Sequence, residues 1–195
     1  MGAHGDPGCS GVIVVFSTSS PLASVALIDG DRVLAEGAEL APRAAGRACL
    51  ETLARMIASQ GFTLDAAEGF AVDVGPGSFG GVKVGVTLAK ALAMAVDKPV
   101  AGLSAFDLIG GPIVAIPSRR GQYWLRESGH LPRLVAGVPP GAQGYGPELG
   151  DRYPLASRAV GLALVWCESW RLTPEYGLPP SVSQPKRPFK ETSGG

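Results

Sequence analysis

Apolar and polar positions along the chain follow two periods. The run VIVVF (12–16) is β-branched and unbroken, and ASVALI (23–28) and RVLAEGAEL (32–40) follow it. Asp29-Gly30-Asp31 makes the turn between the last two, so the three segments predict an antiparallel meander. After Pro42 the period lengthens. In RAAGRACLETLARMIASQG, Ala45, Cys49, Leu53, Met56 and Ile57 share one helical face, and Gly61 supplies the stop. GFAVDV (69–74) then predicts a fourth strand, residues 81–96 a second helix, and PVAGLS (99–104) a fifth strand.

The resulting order, β-β-β-α-β-α-β, predicts an α/β fold with the ribonuclease-H-like (actin-like, ASKHA) layout. Residues 1–10 are expected to be a flexible tail, 11–104 the N-terminal lobe and 105–178 the C-terminal lobe. PPSVSQPKRPFKETSGG (179–195) reads as a disordered tail. Within the second lobe, GGPIVAI and GQYWLRES predict two strands around a Ser118–Gly121 turn. The Gly- and Pro-rich stretch 137–154 predicts loop, and LASRAVGLALVWCESW (155–170) has helical periodicity.

Gly75-Pro76-Gly77-Ser78-Phe79-Gly80 is a literal G-x-G-x-x-G between strand and helix. A dinucleotide site also needs an acidic residue at the end of the next strand. Asp97 precedes that strand, and PVAGLS ends without a carboxylate. A Walker loop fails as well, because Val82-Lys83-Val84 follows Gly81. A tight turn with Ser78 capping the helix accounts for Gly75 and Gly77.

That turn does not account for the helix. Its polar side chains are Lys83, Thr87 and Lys90, one narrow stripe, while Gly81, Gly85, Ala89 and Ala93 form a second stripe of tiny ones. A glycine inside a helix costs about 1 kcal/mol relative to alanine, so Gly85 implies compensating close packing. The sequence predicts contact with the chain's own sheet and a second, helix-against-helix contact. Cover by the C-terminal half is the alternative.

Composition narrows the function. Seventeen basic and seventeen acidic residues cancel, which removes the charge footprint of a dedicated nucleic-acid binder. Three widely spaced cysteines, Cys9, Cys49 and Cys167, and an opening without signal-peptide character lead to the expectation of a cytoplasmic chain with no membrane span. His4 and His130 lack partners at ligand spacing, so no metal is expected. No Ser-His-Asp set is legible, and Ser78 reads as a cap rather than a nucleophile. Arg119-Arg120 reads as a solvated turn, and Trp124, Trp166 and Trp170 as core or interface.

In this order of elements, GPGSFGGVKVGVTLAKALA resembles the GPGSFTGxRxGxxxAKGLA signature of the bacterial TsaB (YeaZ) family, actin-fold proteins of the glycoprotease-like superfamily. STSSPLASVALIDGDRVLAE is similar to that family's DTSTxxxSVAL opening, KPVAGLSAFDLI to IPVxGVSSLxAL, and IVAIPSRRGQYWL to VAIDARRGEVYWA. The resemblance covers residues 12–126 and thins to PEYG at 174–177. It implies a non-catalytic subunit of the machinery that makes threonylcarbamoyladenosine in transfer RNA. The implied partners are a TsaD-type catalytic subunit, a second copy of the chain and, in the wider complex, a TsaE-type ATPase; transfer RNA is reached indirectly. It implies no cofactor in this chain alone, with ATP and magnesium entering at the level of the complex.

The implied interface lies on helices 43–60 and 81–96. Its residues are Gly46, Cys49, Leu50 and Leu53 on the first, and Gly81, Lys83, Val84, Gly85, Thr87 and Lys90 on the second. The glycine loop (Gly75, Gly77, Ser78, Phe79, Gly80) lies beside them. The chain also departs from the family. Ser17 replaces its early aspartate, Ser78-Phe79-Gly80-Gly81 its SFTG, and Ala44-Ala45-Gly46-Arg47 its Gly-His-Ser, while Gly110-Gly111 interrupts the helix after the fifth strand, so that the resemblance implies a shortened second lobe. Two other readings stay open: an actin-fold nucleotide binder or weak ATPase using loop 75–81, and a diverged paralogue without the partner role.

Overall fold

The structure, a computed structural model, describes residues 11–119 and 121–175. Both predicted tails, His4 and Cys9, and Tyr176 and Gly177 of the PEYG stretch lie outside the described residues. β1 (Val12–Ser17), β2 (Leu22–Asp29) and β3 (Arg32–Leu40) form the predicted antiparallel meander. α1 (Ala45–Gln60) leads to β4 (Gly69–Gly75), which lies parallel to β1. α2 (Phe79–Ala95) then leads to β5 (Val100–Ser104), parallel to β4. The element order and pairing are those of the ribonuclease-H-like layout.

The first sheet explains why VIVVF shows no alternation. Val12, Val14 and Phe16 meet α1 and α2 on one face. Ile13 and Val15 pack on the other against Leu108, Ala156 and Ala159. A strand covered on both sides reads as a continuous apolar run. On the α1 side, Ala48, Cys49, Leu53 and Met56 point into the sheet, and Gly61 at φ 63° ends the helix. After β5, Ser104 caps the one-turn α3 (Ala105–Ile109), which Gly110 ends at φ 69°, matching the predicted interruption.

The second sheet contains β6 (Ile113–Pro117) and β7 (Gln122–Glu127), the two predicted strands, followed by β8 (Arg133–Ala136). It also contains β9 (Gln143–Gly146) and β10 (Gly150–Asp151) within the stretch expected to be loop. Glycine hid β9: at Gly144 the strand passes so close to the Ala115 carbonyl that a side chain would not fit.

The helix expected at 155–170 does not form. One 3-10 turn at Ala156–Ala159 is followed by Gly161 at φ 75°. The chain then runs extended, and β11 (Trp166–Cys167) pairs antiparallel with β5 at the edge of the first sheet. Leu162 and Leu164 cover the underside of that sheet. The apolar run that suggested a helix is apolar because it lies flat on a sheet. By packing, residues 155–172 therefore return to the N-terminal lobe and end with Leu172 in its main core.

Among the described residues, no helix is long and apolar enough to cross a membrane. Cys49 is enclosed in the α1 core, and burial pushes its thiol up to about 12. A buried neutral thiol is a poor nucleophile. At pH 8, maleimide should therefore label Cys49 only at the rate of global unfolding, read by mass spectrometry of its peptide. Prompt labelling in native buffer would contradict this packing of α1.

Candidate functional site

The glycine loop faces the chain's own first hairpin. Residues 18–20 between β1 and β2 are buried, and they lie against the loop. The Ser78 amide donates to the Ser19 carbonyl at 2.7 Å, and Thr18 Oγ1 donates to the Gly81 carbonyl at 2.8 Å. A Cβ at Gly77 would press on the Ser19 carbonyl, and one at Gly81 on the Thr18 carbonyl. Gly75 holds φ 106°, a region that side chains rarely adopt. Ser78 caps α2 as expected, its hydroxyl accepting from the Gly81 amide at 3.4 Å.

These contacts bear on a bound phosphate. Such a site needs free backbone N–H groups at the helix start and room for the anion. Here the Ser78 amide is taken by Ser19, the Gly81 amide by the cap, and the space over Gly77 and Gly81 by the 18–19 backbone. Two amides at the start of α2 are therefore engaged within the chain, while Gly80 between them faces open space. His130 sits in an exposed turn. Among the described residues no group of three or more His, Cys, Asp or Glu side chains could hold a metal ion.

Beneath the loop lies a polar cluster that the sequence reading missed. Asp73, on β4, has no exposed surface. Its Oδ2 accepts from Ser17 Oγ at 2.7 Å and Ser19 Oγ at 2.5 Å, and its Oδ1 accepts from the Gly75 amide at 2.8 Å. Burial raises its pKa above the ordinary 3.8, opposed by these bonds and by one from the Ser19 amide. The signal was present in the sequence: a carboxylate amid the apolar GFAVDV run is rarely left without a purpose.

The predicted interface residues divide into two groups. Cys49, Leu53 and Gly85 are buried in the chain's own core. A Cβ on Gly85 would strike Thr18 Oγ1 and come within 3.3 Å of Val72. The Gly81–Gly85–Ala89–Ala93 stripe thus faces the first sheet, so Gly81, Gly85, Cys49 and Leu53 support the surface from beneath. Lys90 is also engaged internally, its ammonium donating to the Leu172 carbonyl at 3.2 Å. The close backbone contacts that compensate the glycines are intramolecular.

Gly46, Leu50, Lys83, Val84 and Thr87 do reach the outer side. α1 and α2 lie side by side, with a Cβ on Gly46 falling 3.1 Å from Val84. This satisfies part of the expected helix-against-helix contact within the chain. Beyond it, Leu50 is 46 %, Phe79 49 %, Val84 40 % and Met94 70 % exposed. The exposed positions of α2 carry only two polar side chains, Lys83 and Thr87. A surface helix normally turns a polar face to water, and this one does not.

Comparison with known proteins adds the following. The family model for TsaD, tRNA N6-adenosine threonylcarbamoyltransferase, matches residues 38–110. A protein of that name from Novosphingobium aromaticivorans is 38% identical over 104 residues, 51% of this chain and 30% of its own length. The tRNA threonylcarbamoyladenosine biosynthesis protein TsaB of Haemophilus influenzae is 34% identical over 93 residues, 47% of this chain and 39% of its own. The matches therefore span well under half the length of these curated relatives. Among solved structures, YeaZ from Pseudomonas aeruginosa superposes with a TM-score of 0.69 at 22% identity, over 85% of this chain and 99% of that one. The family resemblance and the fold expectation are borne out.

Two tests follow from the packing. Gly81→Ala and Gly85→Ala should each lower stability by about 1–3 kcal/mol through overpacking, measured by urea unfolding; no loss would refute the close approach. Asp73 is more readily protonated folded than unfolded, so its contribution is complete below its ordinary value and is lost as pH rises through the raised one. Asp73→Asn should remove that part of the decline, giving a flatter stability–pH curve from about pH 4 upward.

Proposed function

We propose that this chain is a TsaB-like, non-catalytic subunit of the apparatus that makes threonylcarbamoyladenosine in transfer RNA, docking a TsaD-type catalytic subunit through the outer face of α1 and α2. The observation that carries the reading is that face. Leu50, Phe79, Val84 and Met94 are exposed on helices whose inner sides are already filled. Apolar area left in water at about 25 cal/mol per Å2 favours cover by a partner.

Three further observations support it. The region similar to TsaD, residues 38–110, contains both helices. Sequence similarity reaches a TsaB protein as well as TsaD-named ones, and the fold spans nearly the whole length of a YeaZ chain. The zero net charge leaves RNA contact to the partner, with ATP and a TsaE-type ATPase acting at the level of the complex. A second copy of the chain would compete for the same face.

Sedimentation of the chain, alone and mixed with the TsaD-type subunit of its own organism, tests this reading. The expected result is a micromolar complex. Leu50→Glu with Val84→Glu should weaken it about thirtyfold or more, as for loss of a central apolar anchor. Exposed substitutions of this kind should leave stability within about 0.5 kcal/mol. A chain that stays monomeric in every mixture, or a variant that binds like the parent, overturns the proposal.

A further inference from the structure

Position 17 carries serine where the family resemblance places aspartate, and the structure has a carboxylate one strand away. β1 and β4 run parallel with Phe16 beside Val72, which sets Ser17 next to Asp73. A buried carboxyl group is costly unless its oxygens are satisfied. The donors that satisfy Asp73 come from three different segments: Ser17 at the end of β1, Ser19 in the hairpin turn, and Gly75 in the glycine loop.

The bonding continues outward. Ser19, held by Asp73 through its hydroxyl, offers its carbonyl to the Ser78 amide. Thr18, one residue earlier, donates to the Gly81 carbonyl. Ser78 is the cap of α2 and Gly81 its third residue, with Phe79 between them. An unbroken set of hydrogen bonds thus joins one buried carboxyl group to the first turn of the helix that presents Phe79 and Val84.

The geometry points to Asp73 as the positioning residue of the docking face. Its carboxyl group clamps the 18–20 turn against the glycine loop so that α2 starts where Phe79 and Val84 reach the surface. β4 supplies that group because β1 carries serine at the adjoining position, so a carboxylate moved back across the strand pair should do the same work. The consequence for docking rests on the function proposed above; the clamp itself does not.

The experiment measures amide hydrogen exchange by NMR in the full chain, comparing Ser78 and Gly75 with Val14 and Val72 in the central strands. Asp73→Ala should lower protection of the loop amides about tenfold more than that of the strand amides, the worth of roughly one to two hydrogen bonds. Asp73→Asn, which keeps an acceptor for Gly75, should lose less. The exchanged pair Ser17→Asp/Asp73→Ser should recover most of the protection. If Asp73→Ala does not fold, Ser19→Ala, which removes one donor, carries the same comparison.

Equal loss at loop and strand amides would mean that Asp73 serves general stability alone, and would overturn the inference. So would an exchanged pair no better protected than Asp73→Ala. Sedimentation with the TsaD-type subunit separates the two proposals. Loss of both loop protection and binding supports the positioning role, and loss of protection with binding intact removes its effect on docking. A parent chain that never binds refutes the function while leaving the clamp to the exchange data.

Discussion

The backbone of residues 18 and 19 lies directly on the glycine loop, and much of the N-terminal lobe is arranged by that contact. It requires residues without side chains at 77, 81 and 85, because any Cβ there would run into Thr18 or Ser19. It also needs polar groups beneath it, since two stretches of backbone brought together out of water must have their N–H and C=O groups paired. Asp73, itself held by the Ser17 and Ser19 hydroxyls, supplies that pairing from below by accepting from the Gly75 amide, while the Thr18 hydroxyl and the Ser78 amide supply it at the helix start.

With its first turn fixed there, α2 has its orientation decided. The small-residue stripe faces the sheet, Val82 and Val86 enter the core with Leu88 and Leu92 packed against it, and Ala91 and Met94 lie beside Pro174 of the C-terminal segment. The C-terminal segment strengthens this arrangement. Leu172 enters the core, its carbonyl takes the Lys90 ammonium, and the Glu175 amide bonds the Val74 carbonyl. A lysine that looks like part of a surface stripe is therefore part of a clasp, and the glycine loop is enclosed on a second side.

The interface residues named from the sequence show where pattern reading stops. Sequence spacing identified which residues share a helical face, but a face can point inward or outward. Cys49 and Leu53 stand on the α1 face that the sheet covers, while Leu50, one position from Cys49, is exposed. Gly85 and Val84 divide in the same way. The helix's excess of apolar residues was legible and correctly implied more than one contact. How that excess is shared between sheet, neighbouring helix and solvent depends on the position of every other element.

By itself the sequence determined the order of the first seven elements, the turns at Gly30 and Gly61 and the Ser78 cap, because each follows from local propensity and short-range periodicity, while the interruption at Gly110 was legible only through the family resemblance. It also held a highly specific signature across 75–93. The tertiary structure alone decided that residues 155–170 lie flat on a sheet, that glycine-rich residues 143–146 form a strand, and that Asp73 binds three separate segments. Those outcomes rest on contacts between residues distant in sequence. There an apolar run is equally suited to helix or sheet, a glycine signals close approach as readily as a turn, and a lone carboxylate acquires its meaning only from the donors that folding brings to it.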